Sequence, residues 1–183
     1  MKTLLLIFFC IIFSHANVSQ GYILGCNIDY SIMRTIAKQE GSQYRNVGYP
    51  YIISFNKIEQ IEEVRDLFIN SEQLDKRHFD CKNEGECVRI LAELDKKGIH
   101  NIDVGAFSLN FIYSKDHINY SDFFTLDQSY KRACSMLNDL IKQYGYSWDT
   151  IAKYHSKTPK YKEIYLKHIL AKYKNQIGDV SRE

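Results

Sequence analysis

The chain has few breaks in it. It carries 2 prolines in 183 residues, and no Pro- or Ser-rich stretch or internal repeat divides it. A multidomain array and a solenoid are both disfavoured by that absence. Charge of one sign is also missing, with 24 Lys and Arg against 22 Asp and Glu. No glycine-rich phosphate loop is present, so nucleotide chemistry has no anchor. Seven lysines between Lys153 and Lys174 face one acid, Glu163. No arginine is interleaved with them, so they give little support for nucleic-acid binding. They form either a solvated helix face or a surface that attracts an anionic polymer.

Long apolar runs are confined to one place. Lys2 precedes an apolar stretch from Leu4 to Phe13, and Ser14-His15-Ala16 follows with small residues at −3 and −1. That layout predicts a secretory signal peptide, residues 1–16, cleaved near Ala16. The run is too short to span a bilayer, so membrane contact is expected only transiently, through this leader. The alternative is a buried strand or retained anchor. Ile23-Leu24-Gly25-Cys26 also matches a lipoprotein cleavage box, although polar Asn17, Ser19 and Gln20 separate it from the apolar run. Lipidation of Cys26 is the minority reading.

Removing the leader removes Cys10 and leaves Cys26, Cys81, Cys87 and Cys134, an even number in an oxidising compartment. Cys81 and Cys87 are spaced to close a small loop, which would leave Cys26 with Cys134. Spacing alone does not prove that connectivity. His78, Asp80, Cys81 and Cys87 also offer zinc ligands, but in an exported chain the disulfide reading outweighs them, and no metal or cofactor is expected. Residues 17–183 suffice for one domain with a single core. Tyrosine is abundant, at 14 residues. It serves cores and sugar-stacking surfaces alike.

Periodicity predicts a mostly helical chain. Asp29-Tyr-Ser-Ile-Met-Arg-Thr-Ile-Ala-Lys-Gln-Glu40 repeats Ile32, Met33, Ile36 and Ala37 at helical spacing, and Gly41 suits a stop. Tyr49–Phe55 reads as a strand, with Asn56-Lys57 placed to turn it back into a short hairpin. Ile58–Phe68 is ambiguous, and Ser71–Asn83 reads as loop. Gly85–Lys97 is a helix with Val88, Leu91 and Leu94 inward. Asn101–Asn110 is short, mixed and glycine-containing. Asp127–Tyr144 is a strong helix with Ala133, Met136, Leu137, Leu140 and Ile141 on one face and Gly145 after it. Ser147 caps a short helix to about Tyr154, and Thr158-Pro159 opens a last helix to about Asn175. The expected fold class is α+β, mostly helical with one small antiparallel β-hairpin.

Glu40 is the residue that suggests chemistry. It closes its helix, where unpaired carbonyls carry partial negative charge, and partial burial adds to that field. Both disfavour the carboxylate and raise its pKa, as a general acid requires. A solvated helix-end glutamate is the bland alternative.

Three segments then align: Ile36-Ala-Lys-Gln-Glu40-Gly-Ser42, Asn101-Ile-Asp-Val-Gly105-Ala-Phe-Ser-Leu-Asn110, and Ile151-Ala-Lys-Tyr154-His-Ser156, with Tyr165 beyond. Their order and content resemble the lysozyme-like lytic transglycosylase (SLT-type) domain, especially its compact exported members, over most of Cys26–Ala171. The resemblance implies a lysozyme-like fold, a periplasmic location and cleavage of the MurNAc–GlcNAc bond in peptidoglycan glycan strands. Glu40 matches the family's acid and base. It would protonate the leaving oxygen, then take the proton of the sugar's 6-hydroxyl as that oxygen closes a 1,6-anhydro ring. Tyr154 matches the tyrosine beside the acid. Gly105, Phe107, Ser108 and Asn110 match the loop lining the sugar cleft, and Tyr165 completes the substrate-binding set. Asp103 is read as a brace for that loop. Two departures stand out: Gly41 intervenes before Ser42, and Ser108 replaces the family's Gln. Asn110 lies where some related hydrolases have an acid, which favours transglycosylation over a muramidase. Glu59, Glu62 and Glu63 keep hydrolysis open. A non-catalytic wall-binding protein is the further alternative, and a secretion or motility apparatus is a compatible partner.

Overall fold

The computed structural model describes residues 25–113 and 119–180. The proposed leader and the first residues after it lie outside that range. The fold is mixed α+β. Helix α1 spans Tyr30–Glu40, α2 Glu59–Glu62, α3 Glu84–Lys96, α4 Leu126–Tyr144, α5 Trp148–Ala152 and α6 Pro159–Val180. Short 3₁₀ turns occupy Arg65–Phe68, Phe111–Tyr113 and Tyr120–Phe123.

The strands form one antiparallel sheet in the order β2-β3-β1-β4-β5: β1 is Ile52–Phe55, β2 Glu72–Gln73, β3 His78–Asp80, β4 Ile102–Val104 and β5 Leu109–Asn110. This corrects the expected single hairpin. Asn56-Lys57 does not turn β1 back; the chain runs on towards α2. All four residues of β1 are buried, and both its edges are paired, with β3 and with β4. Those partners come from the segment read as loop, Ser71–Asn83, and from Asn101–Asn110. The first looks polar because its buried member Asp80 is an acid. The structure satisfies that acid with the Arg45 guanidinium at 2.6 Å, the Tyr49 hydroxyl at 2.9 Å and the Lys82 backbone N–H at 2.7 Å.

The helices lie close to where the apolar periodicity puts them. Asp29 caps α1 through the Ser31 N–H, Asn83 caps α3 through the Glu86 N–H, and Ser147 caps α5 through the Thr150 N–H. Each leaves one fewer orphan donor at a helix start. Pro159 opens α6 at the first position, where a missing N–H costs nothing. Within α4, Ala133, Leu137 and Leu140 are buried, but Met136 is 37 % exposed and Ile141 only partly covered. Ser129, Tyr130 and Cys134 are buried as well, so the inward face is turned away from Met136 and Ile141 relative to the expected stripe.

The core runs from Phe55, Phe68 and Phe79 beneath the sheet to Phe107, Phe111 and Phe123 under the helices. Helix α6 packs along α1, where buried Gln176 meets the Thr35 hydroxyl at 3.4 Å and the Ser31 carbonyl at 3.1 Å. Trp148 packs edge-on against Tyr173, seating α5 on α6. Two disulfides close the structure, Cys26–Cys134 and Cys81–Cys87, with Cα separations of 5.9 and 5.3 Å. The Cys26 sulfur is therefore bonded to protein, not available for a thioether lipid. Cys81 and Cys87 are likewise not thiolate ligands for a metal.

Candidate active site

Glu40 ends α1 for a specific local reason. The Gly41 N–H still donates to the Ala37 carbonyl at 2.8 Å, but the backbone then turns extended, with φ −65° and ψ 156°. Gly41 is thus not the left-handed stop expected of a helix-ending glycine. Glycine is needed because a Cβ there would come within 2.6 Å of the Ala37 oxygen. The exposed carbonyls of the last turn find side-chain donors instead. The Ser108 hydroxyl donates to the Glu40 carbonyl at 2.8 Å, and the Lys172 ammonium donates to the Lys38 carbonyl at 3.0 Å. The β4–β5 connection and α6 therefore grip the end of the helix that carries the acid. A cation at a helix C-terminus also complements its dipole.

The Glu40 side chain is 10 % exposed, and its Oε1 has no hydrogen-bond partner among the described residues. Burial raises its pKa from 4.5 to about 7. The Tyr165 hydroxyl approaches closely enough to oppose that rise, without the distance and angle of a full hydrogen bond. The charge of Asp103 adds to the rise, and Lys172 opposes it. The His155 Nδ1 stands 3.8 Å from Glu40 Oε1. The His155 ring lies parallel on the Tyr165 ring, with centroids 4.8 Å apart and planes 2° apart.

Tyr154 is buried beside this group, but its hydroxyl donates to the Phe107 carbonyl at 2.9 Å. It ties the α5 end to the β4–β5 loop and does not orient the carboxyl. Burial, then the charges of Glu40 and Asp103, push its pKa well up, so it stays a neutral donor. Tyr165 is buried as well and faces the carboxyl instead of the cleft. Of the two tyrosines singled out in the sequence, the later one is the nearer partner of the acid.

Asp103 on β4 accepts from the Asn110 amide at 2.8 Å and the Asn56 amide at 3.0 Å. Burial raises its pKa, and both amides hold it down. It braces β4 to β5 and to the end of β1, as its bracing role requires. The Asn110 amide nitrogen also donates to the Asn101 side-chain oxygen at 3.3 Å, and its oxygen accepts from the Ile112 N–H at 3.2 Å.

These groups meet along an open cleft of about 1420 Å³. Glu40, Ser108, Asn110 and Tyr154 line it, and so do Asp103 and His155. Phe107 does not: its ring is in the core, edge-on to Tyr130. Gly105 does not either. It sits at φ +77°, and a Cβ there would overlap the Phe123 carbonyl oxygen, so it sets the turn that presents Ser108. Ser108 itself takes φ +46°, a strained value for a residue with a side chain.

Sequence reading singled out neither His155 nor three exposed tyrosines that line the cleft: Tyr44, Tyr113 and Tyr161. Isolated exposed aromatics have no periodic signature, so only the fold collects them. Tyr44 and Arg45 belong to a wall segment held by the Arg45 guanidinium between Asp80 and Glu72. Of the lysine-rich stretch, Lys153 and Lys162 both pair with Asp149, and Lys153, Lys157 and Lys172 line the cleft. No protein-family model matches the chain, and neither a curated protein nor a solved structure does.

Proposed function

We propose that this protein is an exported lytic transglycosylase that cleaves the MurNAc–GlcNAc β-1,4 bond of peptidoglycan, with Glu40 as its acid and base. One observation carries this reading: the three segments, far apart in sequence, converge on one cleft around one buried carboxyl group. Ser108 holds the Glu40 carbonyl, Tyr154 holds the Phe107 carbonyl, and His155 faces the carboxyl. An acid at the end of an amphipathic helix, in an open cleft also lined by a small antiparallel sheet, is what a lysozyme-like fold calls for. In the reaction, protonated Glu40 gives its proton to the glycosidic oxygen as the C1–O bond breaks. The carboxylate then takes the proton of the 6-hydroxyl as that oxygen bonds to C1. One carboxyl group serves both halves, in contrast to two-carboxylate glycosidases. Exposed Tyr44, Tyr113 and Tyr161 suit the flat faces of sugar rings.

Two disulfides require a non-reducing compartment. With the apolar leader, this supports a periplasmic location, where the wall polymer is the substrate at hand. A secretion or motility apparatus that must pass the wall is the partner this reading accommodates.

A second reading has its own observation. Asp103 is a second partly buried carboxyl in the same cleft, and as a base for water it would make the protein a muramidase. Both its oxygens already accept amide hydrogens, which favours the brace. Digestion of purified sacculi decides the matter. Anhydro-muropeptides from wild type and none from Glu40→Gln are expected; reducing ends alone would make it a muramidase. Intact sacculi with wild type would leave a non-catalytic wall-binding protein.

A further inference from the structure

We propose that His155 is a positioning residue that donates a hydrogen bond to the Glu40 carboxyl group while that group is charged. This rests on the acid–base reading of Glu40 and adds a second residue to it. Three observations point the same way. Glu40 Oε1 and the Tyr165 hydroxyl are both buried without full hydrogen-bond partners among the described residues. His155 Nδ1 is 3.8 Å from Glu40 Oε1, about 1 Å beyond an ordinary N–H···O bond. The parallel stack on Tyr165 fixes the plane of the imidazole, so the ring can slide towards the carboxyl without tilting.

The chemistry makes this gap useful. In the resting state Glu40 must keep its proton, and a donor already bonded to it would favour the charged form. Once Glu40 has given its proton to the glycosidic oxygen, a carboxylate is left in a buried place. A buried charge needs donors. The Tyr165 hydroxyl and the His155 Nδ1–H supply them. When the 6-hydroxyl proton returns to Glu40, the bond loosens again. His155 acts here as a neutral donor. Burial lowers its pKa, opposed by the charge of Asp103; Lys172, Tyr154 and Tyr165 are the other titratable groups around Glu40.

The test uses the exported chain with both disulfides intact. Glu40 is followed by carbon-13 NMR titration in wild type, His155→Ala and His155→Asn. Asparagine places an amide nitrogen where Nδ1 lies, without the ring. The expected result is a rise of the Glu40 pKa in His155→Ala of roughly one pH unit, a tenfold change in proton affinity. His155→Asn should return it close to the wild-type value. An unchanged titration in His155→Ala overturns the proposal, and so does an asparagine variant that behaves like alanine. In sacculus digestion, His155→Ala should lower kcat about tenfold with KM unchanged, and its high-pH limb should move to higher pH. A raised KM with unchanged kcat would instead make His155 a substrate contact. Sacculi left intact by wild type would refute the transglycosylase reading, while the titration would still decide the role of His155.

Discussion

Replacing Glu40 by Gln should stabilise the fold above neutral pH and leave it unchanged in acid. The folded carboxyl titrates at about 7 and the ordinary value is 4.5, so the folded chain binds this proton more tightly than the unfolded one. Stability from that proton is present in full below about 4.5 and is lost as pH rises to about 7. Each tenfold in proton affinity corresponds to about 1.4 kcal/mol, so the wild type forgoes roughly 2–4 kcal/mol across that window. Glutamine matches the protonated carboxyl in shape and does not titrate. Urea unfolding of both proteins, with disulfides intact, should therefore give near-equal stabilities at pH 4. The curves should separate between pH 4.5 and 7 and stay apart at pH 8.5. A melting-temperature gap on the order of 5–10 °C should accompany the separation at high pH. Parallel stability curves from pH 4 to 8.5 would show that Glu40 titrates normally, and the argument for a resident acid would fail. The same pKa predicts the slope of activity. If the first proton transfer needs protonated Glu40, kcat/KM falls about tenfold per pH unit above about 7.

Three further outcomes follow from the packing. Gly105→Ala should destabilise the protein by more than ~1 kcal/mol, because the position has a left-handed φ and faces the Phe123 carbonyl; a melting temperature equal to wild type would contradict this. Ser108→Ala removes the bond to the Glu40 carbonyl and should lower stability by about 1 kcal/mol while lowering kcat more than that loss explains; full activity at wild-type stability would count against the grip. The two disulfides should differ in weight. Opening Cys26–Cys134, 108 residues apart, should cost about 5 kcal/mol in the chain-entropy model, and opening Cys81–Cys87, six apart, about 2 kcal/mol; free-thiol labelling of the native, non-reduced protein at any of the four would refute the pairing.

Helices with a clear stripe and a side-chain cap were legible from the sequence, and so was Glu40 at the end of one. Ser147 and Pro159 act within a turn of themselves, so local chemistry is enough to read them; the caps at Asp29 and Asn83 emerge only in the structure. The sheet was not legible, because β1 finds both partners at long range and one of them hides a buried acid, Asp80, behind a polar run. The roles within the site were only partly legible. Tyr154 and Phe107 belong to segments that meet at the cleft, but one bonds to a carbonyl and the other fills the core. A side chain's direction depends on what packs on either side of it, which the sequence does not state. His155 shows the same limit: its segment was recognised, while its place beside the acid depends on Tyr165, ten residues further along the chain.

What the sequence by itself determined was Glu40 at the end of its helix, four cysteines beyond the apolar run and the three segments that the cleft draws on. Only the tertiary structure decided which groups press on that acid, because desolvation and hydrogen bonding depend on distances between elements and not on spacing along the chain.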